Sequence, residues 1–322
     1  MASDLVAFRG DHEDLSSDRN MIKSRVTLKQ LEAFVFVVDL GSFRGAAAAL
    51  ATTQPNVSAR IASLEATLDL VLMHRDAGSV RLTERGAALL PMARAALRSA
   101  EAFLEVADRK DLIEERLRLG VTELVACTWL HTFLRAFKEE YPNVSVELDV
   151  NLSREIERQL VSHQLDLALQ TGPFTTQVSG TLALGRYPYA WVATPDLAEA
   201  LSKRPALPAL FRHSVLTHTR HATATSELLE AVKTAGLPEE RIGFSSSLAS
   251  CVPMAEDGMG IALLPRHIVR DALAEGQLVE IRCRWRPADL EVYARFEKIR
   301  APGFVEFAAN LAESVALKDQ KK

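Results

Sequence analysis

The sequence predicts an α/β protein with an all-α N-terminal part, and three observations predict it. Residues 27–68 carry apolar side chains at helical spacings, broken twice by short polar turns. Residues 83–111 continue as one long amphipathic helix. From Arg116 onward, short runs alternating with period two are separated by helical stretches.

The N-terminal helices are marked by their ends. Thr27-Leu28-Lys29-Gln30 forms a capping box, and Leu28, Leu31, Phe34, Val35 and Val38 form the apolar stripe of a helix over 27–40. Gly41 ends it, and Ser42 caps an alanine-rich helix over 43–50 whose small side chains let neighbours approach closely. In Thr52-Thr53-Gln54-Pro55-Asn56-Val57-Ser58, either threonine can cap a third helix, and Pro55 fits a first turn where its missing N–H is not needed. Val57, Ile61, Leu64 and Leu68 bury one side of that helix, while Gln54, Asn56, Ser58, Arg60 and Ser63 lie on the other. Two short helices, a tight turn and a third helix with a polar outer face make a helix-turn-helix. Met73-His74-Arg75 and Val80-Arg81-Leu82 flank Asp76-Ala77-Gly78-Ser79 as a small hairpin or wing.

Amide, hydroxyl and guanidinium groups at the front of an exposed helix are the groups that pair with base edges and phosphates. Gln54, Asn56 and Ser58 are therefore candidates for base edges, Arg60 for bases or phosphate, and Thr53 and Pro55 complete the surface at the helix start. Lys29, Arg44, Arg75 and Arg81 are candidates for the DNA backbone or minor groove. The net charge of −4 speaks against nucleic acid only until it is divided along the chain. Residues 22–94 hold nine Lys/Arg and six Asp/Glu, a net of +3, whereas residues 1–21 carry −3 and residues 95–322 carry −4. With so small an excess, phosphate contact depends on where each cation stands.

After the wing, Thr83 can cap a helix running to about 111, with Pro91 kinking it or straining one hydrogen bond. Leu89, Met92, Ala96, Ser99, Phe103 and Val106 step by three and four along it, a heptad-like seam on an otherwise charged helix. The seam predicts dimerisation. About thirty residues at ~1.5 Å each would make a spacer of ~45 Å.

Beyond it, strands are expected at 117–121, 144–150, 166–169, 189–193, 215–216, 261–264, 278–281 and 290–294. Helices are expected at 130–140, 154–162, 227–235 and 251–257, which together predict a mostly parallel sheet covered by helices. Ligands of such sheets sit beyond the strands' carboxyl ends, where helix N-termini offer free N–H groups. That rule selects Thr122 and Glu123, Ser153, Thr171 with Gly172, Thr219, Arg220 and His221, and Ser246 with Ser247. Hydroxyls at helix N-termini suit a small carboxylate, with Arg220 as its counter-charge.

The run Leu31-Glu32-Ala33-Phe34, Gly41-Ser42-Phe43, Ala46-Ala47, Leu50, Thr53-Gln54-Pro55, Val57-Ser58, Ile61, Leu64-Glu65, Leu68, Arg75 and Leu82-Thr83 resembles the N-terminal domain of the LysR-type transcriptional regulators. Asp69, where that family usually has glycine, Met73, where it usually has phenylalanine, and Arg85, where alanine is usual, depart from its pattern. Tyr141-Pro142, residues 165–169 and Gly258-Met259-Gly260-Ile261-Ala262-Leu263-Leu264-Pro265 are similar to the same family's effector domain. The resemblance implies a winged helix-turn-helix over 25–83, a linker and dimerisation helix over 84–113, and a two-lobed, periplasmic-binding-protein-like effector domain over 114–322. Lobe I would comprise 114–187 and 287–322, and lobe II 188–286. It also implies double-stranded DNA and a small-molecule effector as partners, RNA polymerase as a possible third, and a homodimer or homotetramer. Thr122, Ser153 and Ser247 match positions that commonly line the cleft in that family.

Residues 1–24 show no periodicity and are expected to be a disordered tail, with Met21 an alternative start. No segment resembles a signal peptide or a membrane span, so a cytoplasmic protein is expected. Cys127, Cys251 and Cys283 are too few and too scattered for a disulfide framework, but Cys127 and Cys251 leave open a redox-sensing regulator of the same architecture. His213, His218 and His221 lack a carboxylate or thiolate at metal-binding spacing, so no metal or cofactor is expected. No nucleophile elbow, phosphate loop or H-E-x-x-H pair is present, and no catalytic residue is assigned.

Overall fold

The computed structural model describes residues 26–76, 79–298 and 300–321. The expected tail, the Ala77-Gly78 turn and the contact assigned to Arg75 lie outside the described residues. The chain divides into two compact units, 1–93 and 94–322.

The first unit begins with α1 (Leu28–Asp39). Its capping box is reciprocal: Thr27 Oγ1 accepts from Gln30 N at 3.4 Å, and Gln30 Oε1 accepts from Thr27 N at 2.8 Å. The buried stripe is rotated from the expected one. Ala33, Phe34 and Val37 are fully buried, whereas Leu28, in the open first turn, is exposed. Ser42 Oγ accepts from Gly45 N at the start of α2 (Phe43–Ala49), whose Ala46 and Ala47 are buried.

Of the two possible caps for α3 (Gln54–Leu68), Thr53 takes the role and Thr52 Oγ1 instead accepts from Asn56 Nδ2 at 3.1 Å. Helix α3 ends at Asp69 with φ +51°, the left-handed conformation in which glycine has no steric penalty, which explains why the related pattern carries glycine there. Glu65 Oε1 then accepts from Leu72 N at 2.8 Å, fixing the exit of α3 against β1 (Met73–Asp76), which pairs antiparallel with β2 (Ser79–Leu82). Thr83 Oγ1 accepts from Gly86 N to start α4 (Glu84–Val106), and a Cβ on Gly86 would stand 2.0 Å from the Leu72 carbonyl oxygen.

Helix α4 is shorter than expected, 23 residues or ~35 Å at ~1.5 Å each. Asp108 adopts φ +55° while Asp108 N donates to Glu105 O and Arg109 N donates to Leu104 O, a helix-ending double bond that needed no glycine or proline signal.

The second unit holds two five-stranded sheets. The first is built from β3 (Arg116–Val121), β4 (Ser145–Val150), β5 (Leu167–Thr171), β6 (Gly180–Tyr187) and a late strand, in the order β4-β3-β5-late-β6. The second uses β7 (Tyr189–Ala193), β8 (Val215–His218), β9 (Ile242–Ser245), β10 (Ile261–Pro265) and β11 (Val279–Ile281), in the order β11-β7-β10-β8-β9. The late strand of the first sheet is β12 (Leu290–Phe296). Only Pro188 separates the sheets at the first crossing, and residues 282–289 make the return.

The expected mostly parallel sheet is corrected by this path. Strands β3, β4 and β5 are parallel, as are β8, β9 and β10, but β12 pairs antiparallel with β5 and β6, and β7 pairs antiparallel with β10 and β11. A chain that leaves a lobe and returns to it brings its crossing strands in against the existing direction.

Helices α5 (Glu123–Cys127), α6 (Leu130–Glu140) and α7 (Ser153–Val161) belong to the first lobe. Helices α8 (Pro195–Glu199), α9 (Leu207–Leu210), α10 (Thr223–Thr234), α11 (Leu248–Glu256) and α12 (Arg270–Ala274) belong to the second, and α13 (Gly303–Asp319) closes the first. Trp129, Phe133, Phe137 and Tyr141 form the centre of lobe I together with Phe304 and Val305 of α13. Lobe II buries both faces of its sheet, Trp191 and Leu263 on one side and Val192 and Leu264 on the other. Strands β6 and β9 and helix α13 were not expected.

Candidate functional site

In the first unit, Gln54, Pro55 and Asn56 are all exposed at the front of α3, and Ser58 is half-buried behind them. Three constraints hold this display: the Thr53 cap, the Thr52–Asn56 side-chain bond, and Val57, Ile61 and Leu64 buried on the opposite face. Thr53, Lys29, Arg44 and Arg81 are exposed, and Arg60 is half-buried. Ser63 is differently employed, because its Oγ accepts from Gln30 Nε2 at 2.9 Å and ties α3 to α1. Three exposed cations and the half-buried Arg60 around the amide pair can neutralise phosphates while the amides reach base edges.

Between the lobes, the candidate hydroxyls have unlike fates. Thr122 begins α5 without capping it, and its Oγ1 is buried with no partner. Ser153 Oγ and Thr171 Oγ1 bond each other at 2.7 Å, and Thr171 N donates to Ser153 Oγ at 3.1 Å. Ser247 caps α11 by accepting from Ser250 N and donates its own proton to Glu123 Oε1 at 2.7 Å.

Glu123 is the centre of this geometry. It stands on α5 in lobe I, yet its carboxylate takes Leu248 N at 2.7 Å and Ala249 N at 3.2 Å, both at the start of α11 in lobe II. The N-terminus expected to receive an external carboxylate is thus filled by one from the chain itself. Arg220, expected as the counter-charge, also stands elsewhere. It is exposed, stacks on Phe244 at 4.1 Å and pairs with Glu239 at 2.5 Å. His221 is exposed and Thr219 half-buried.

His218, weighed in the sequence only as a metal ligand, is the residue that the strand-end rule missed by one position. It ends β8, is buried, and holds Nε2 3.6 Å from Glu123 Oε2 with no hydrogen-bond partner. Burial pushes the imidazole below its ordinary range, against the opposing pull of Glu123 and of a backbone bond to Ser246, and this favours the neutral ring. Among the described residues, no group of three or more His, Cys, Asp or Glu could hold a metal ion.

Residues 28–87 match the family model for a bacterial regulatory helix-turn-helix protein of the lysR family, and residues 110–314 match the LysR substrate binding domain. The chain is a LysR-type transcriptional regulator. A relative from Mycobacterium avium, named a probable hydrogen peroxide-inducible genes activator, is 30% identical over 76% of this chain and 79% of its own length. The HTH-type transcriptional regulator PtxR of Pseudomonas aeruginosa is 27% identical over 88% of this chain and 92% of its own.

Among solved structures, ArgP from Mycobacterium tuberculosis superposes with a TM-score of 0.60 at 24% identity, covering 89% of this chain and 96% of that one. Full-length LysG from Corynebacterium glutamicum, with its bound effector Arg, gives 0.57 at 19% identity, covering 91% and 98%. These two structures show that the LysR-type fold is shared from the helix-turn-helix to the lobes. No helix among the described residues is long and apolar enough to cross a membrane.

Proposed function

We propose that this LysR-type regulator acts in the cytoplasm as a homodimer or homotetramer that reads its operator through Gln54, Asn56 and Ser58. Lys29, Arg44, Arg60, Arg75 and Arg81 would hold the backbone, and a small molecule between the lobes would set the spacing of the readers and their contact with RNA polymerase. The observation that carries this reading is the exposed Gln54-Pro55-Asn56 corner at the capped start of a helix whose opposite face is buried. Selection of genomic fragments by the full-length chain at several ionic strengths tests it. Enrichment of a few fragments, its own promoter among them, is expected, and binding that falls with salt equally for all fragments would sink the reading.

Assembly through α4 is supported by Met92, Phe103 and Val106, which are 62%, 73% and 91% exposed on one side of that helix. Phe103→Glu would place a charge in the seam and is expected to shift sedimentation to the mass of a single chain. An unchanged mass would assign assembly to another surface.

The name of the Mycobacterium avium relative raises a peroxide-sensing alternative. A sensor thiol is held in the thiolate form. Here burial pushes the thiols of Cys251, inside the lobe II core, and of the half-buried Cys283 up, and the exposed Cys127, beside the carboxylate of Glu123, is raised as well rather than held as thiolate. A small-molecule ligand therefore remains the better-supported signal.

A further inference from the structure

The start of α11 has what a free carboxylate needs: two unpaired backbone N–H groups, a serine hydroxyl and the positive end of the helix. Glu123 meets all three from the opposite lobe, and Oε1 serves both Ser247 Oγ and Ala249 N. Two polar atoms stay without partners in residues that are each 8% exposed: His218 Nε2, next to the Glu123 carboxylate, and Thr122 Oγ1, on the residue before Glu123 in the chain. Buried polar atoms of this kind call for a partner that the chain does not supply. His218 Nε2 lies 3.6 Å from Glu123 Oε2, so this unpartnered atom adjoins the carboxylate.

We propose that Glu123 is the built-in ligand of the anion site between the lobes, and that the cleft therefore selects a neutral or cationic effector rather than a carboxylate. This deepens, and rests on, the reading of the cleft as an effector site. A carboxylate can accept about four hydrogen bonds. Three are in use, which leaves Glu123 able to accept from a ligand's hydroxyl or amine, with Thr122 Oγ1 beside it in sequence as a second polar contact. A second anion would instead meet like charge at close range. The arginine that could neutralise it is engaged with Glu239. The same contact makes Glu123 a latch, since its bonds join α5 of one lobe to α11 of the other.

Chemical rescue tests this on the full-length protein without knowing the effector. Sodium propionate, compared with equal sodium chloride, is expected to leave the melting temperature of the wild type unchanged. Glu123→Ala is expected to melt lower and to regain about 2–4 °C with propionate, which would supply the missing carboxylate to α11. A wild type that gains as much as the variant would show an anion site open to solvent and overturn the proposal. A variant that melts like the wild type, or that ignores propionate, would overturn it too. Should Glu123→Ala fail to fold, Glu123→Gln keeps the side-chain size and loses the charge. It is expected to melt below the wild type without responding to propionate, and an unchanged melting temperature would count against the latch. Because melting is read without DNA, its outcome is separate from that of operator selection.

Discussion

Replacing Gln54 and Asn56 together with alanine is expected to abolish most of the preference for operator over random DNA while leaving a folded protein. Each well-placed amide contact to a base edge discriminates by about 1–3 kcal/mol, or roughly 5- to 150-fold. Two lost contacts should bring operator affinity down towards that for random sequence. Affinity for random DNA should change little, because the exposed Lys29, Arg44 and Arg81 remain to contact phosphates. The fold should survive because both side chains are exposed, alanine is a good helix former, and the Thr53 cap bonds the backbone N–H of residue 56, which the substitution keeps. Competition binding against operator and random duplexes at two salt concentrations measures the ratio. A double variant that keeps the wild-type ratio would remove these residues from base recognition.

What was legible in the sequence divides along a physical line. The helix-turn-helix could be read because its signals are local: Thr27 and Gln30, Ser42 and Gly45, and Thr53 and Asn56 each act across three residues. Helix α13 shows the opposite case. Phe304, Val305, Ala308, Ala309 and Ala312 recur at helical spacing, but no local cap announces the start. Gly303 N instead donates to Glu101 Oε2 at 2.7 Å, an acceptor 202 positions earlier in the chain. Strand β6 was hidden because Gly185, at φ +120°, lies where its register with β12 shifts, and this interrupts the alternation. Thr122, Glu123 and Ser247 were selected as strand-end residues, yet only the folded chain shows Glu123 crossing to α11. A contact between residues 123 and 247 has no footprint in spacing. His218 could have been found by extending the same strand-end rule one residue back.

The largest loss of stability is expected from Glu157→Ala, which breaks a buried pair in lobe I. The side chains of Glu157 and Arg295 are 8% and 2% exposed, with Nη1 and Oε1 3.4 Å apart. Burial alone would raise the Glu157 carboxyl. The backbone N–H groups of Thr176 and Thr175, at 2.8 and 2.9 Å, the Thr175 hydroxyl and Arg295 outweigh that and hold it below its usual range. Arg295 also donates to Thr176 O and lies over the Phe174 ring. Gln170, oriented so that both ends of its amide are satisfied, accepts from Arg295 Nη1 at 2.8 Å and donates to Ser153 O at 2.9 Å, linking the pair to the cleft.

Removing the carboxylate strands a guanidinium that cannot shed its proton, at a cost of about 3–5 kcal/mol. At about 2–4 °C per kcal/mol for a unit of this size, calorimetry should show a drop of roughly 6–20 °C. Adding Arg295→Met to Glu157→Ala should recover much of the loss, since neither charge is then buried alone. Because the folded carboxyl titrates below its unfolded value, the pair's stabilisation is complete above the ordinary carboxylate range. It is lost as pH falls through the folded value, so the gap between wild type and Glu157→Ala should narrow in acid. A gap that stays constant from neutral pH into acid would mean that the charge of Glu157 contributes nothing, and that packing alone accounts for the loss.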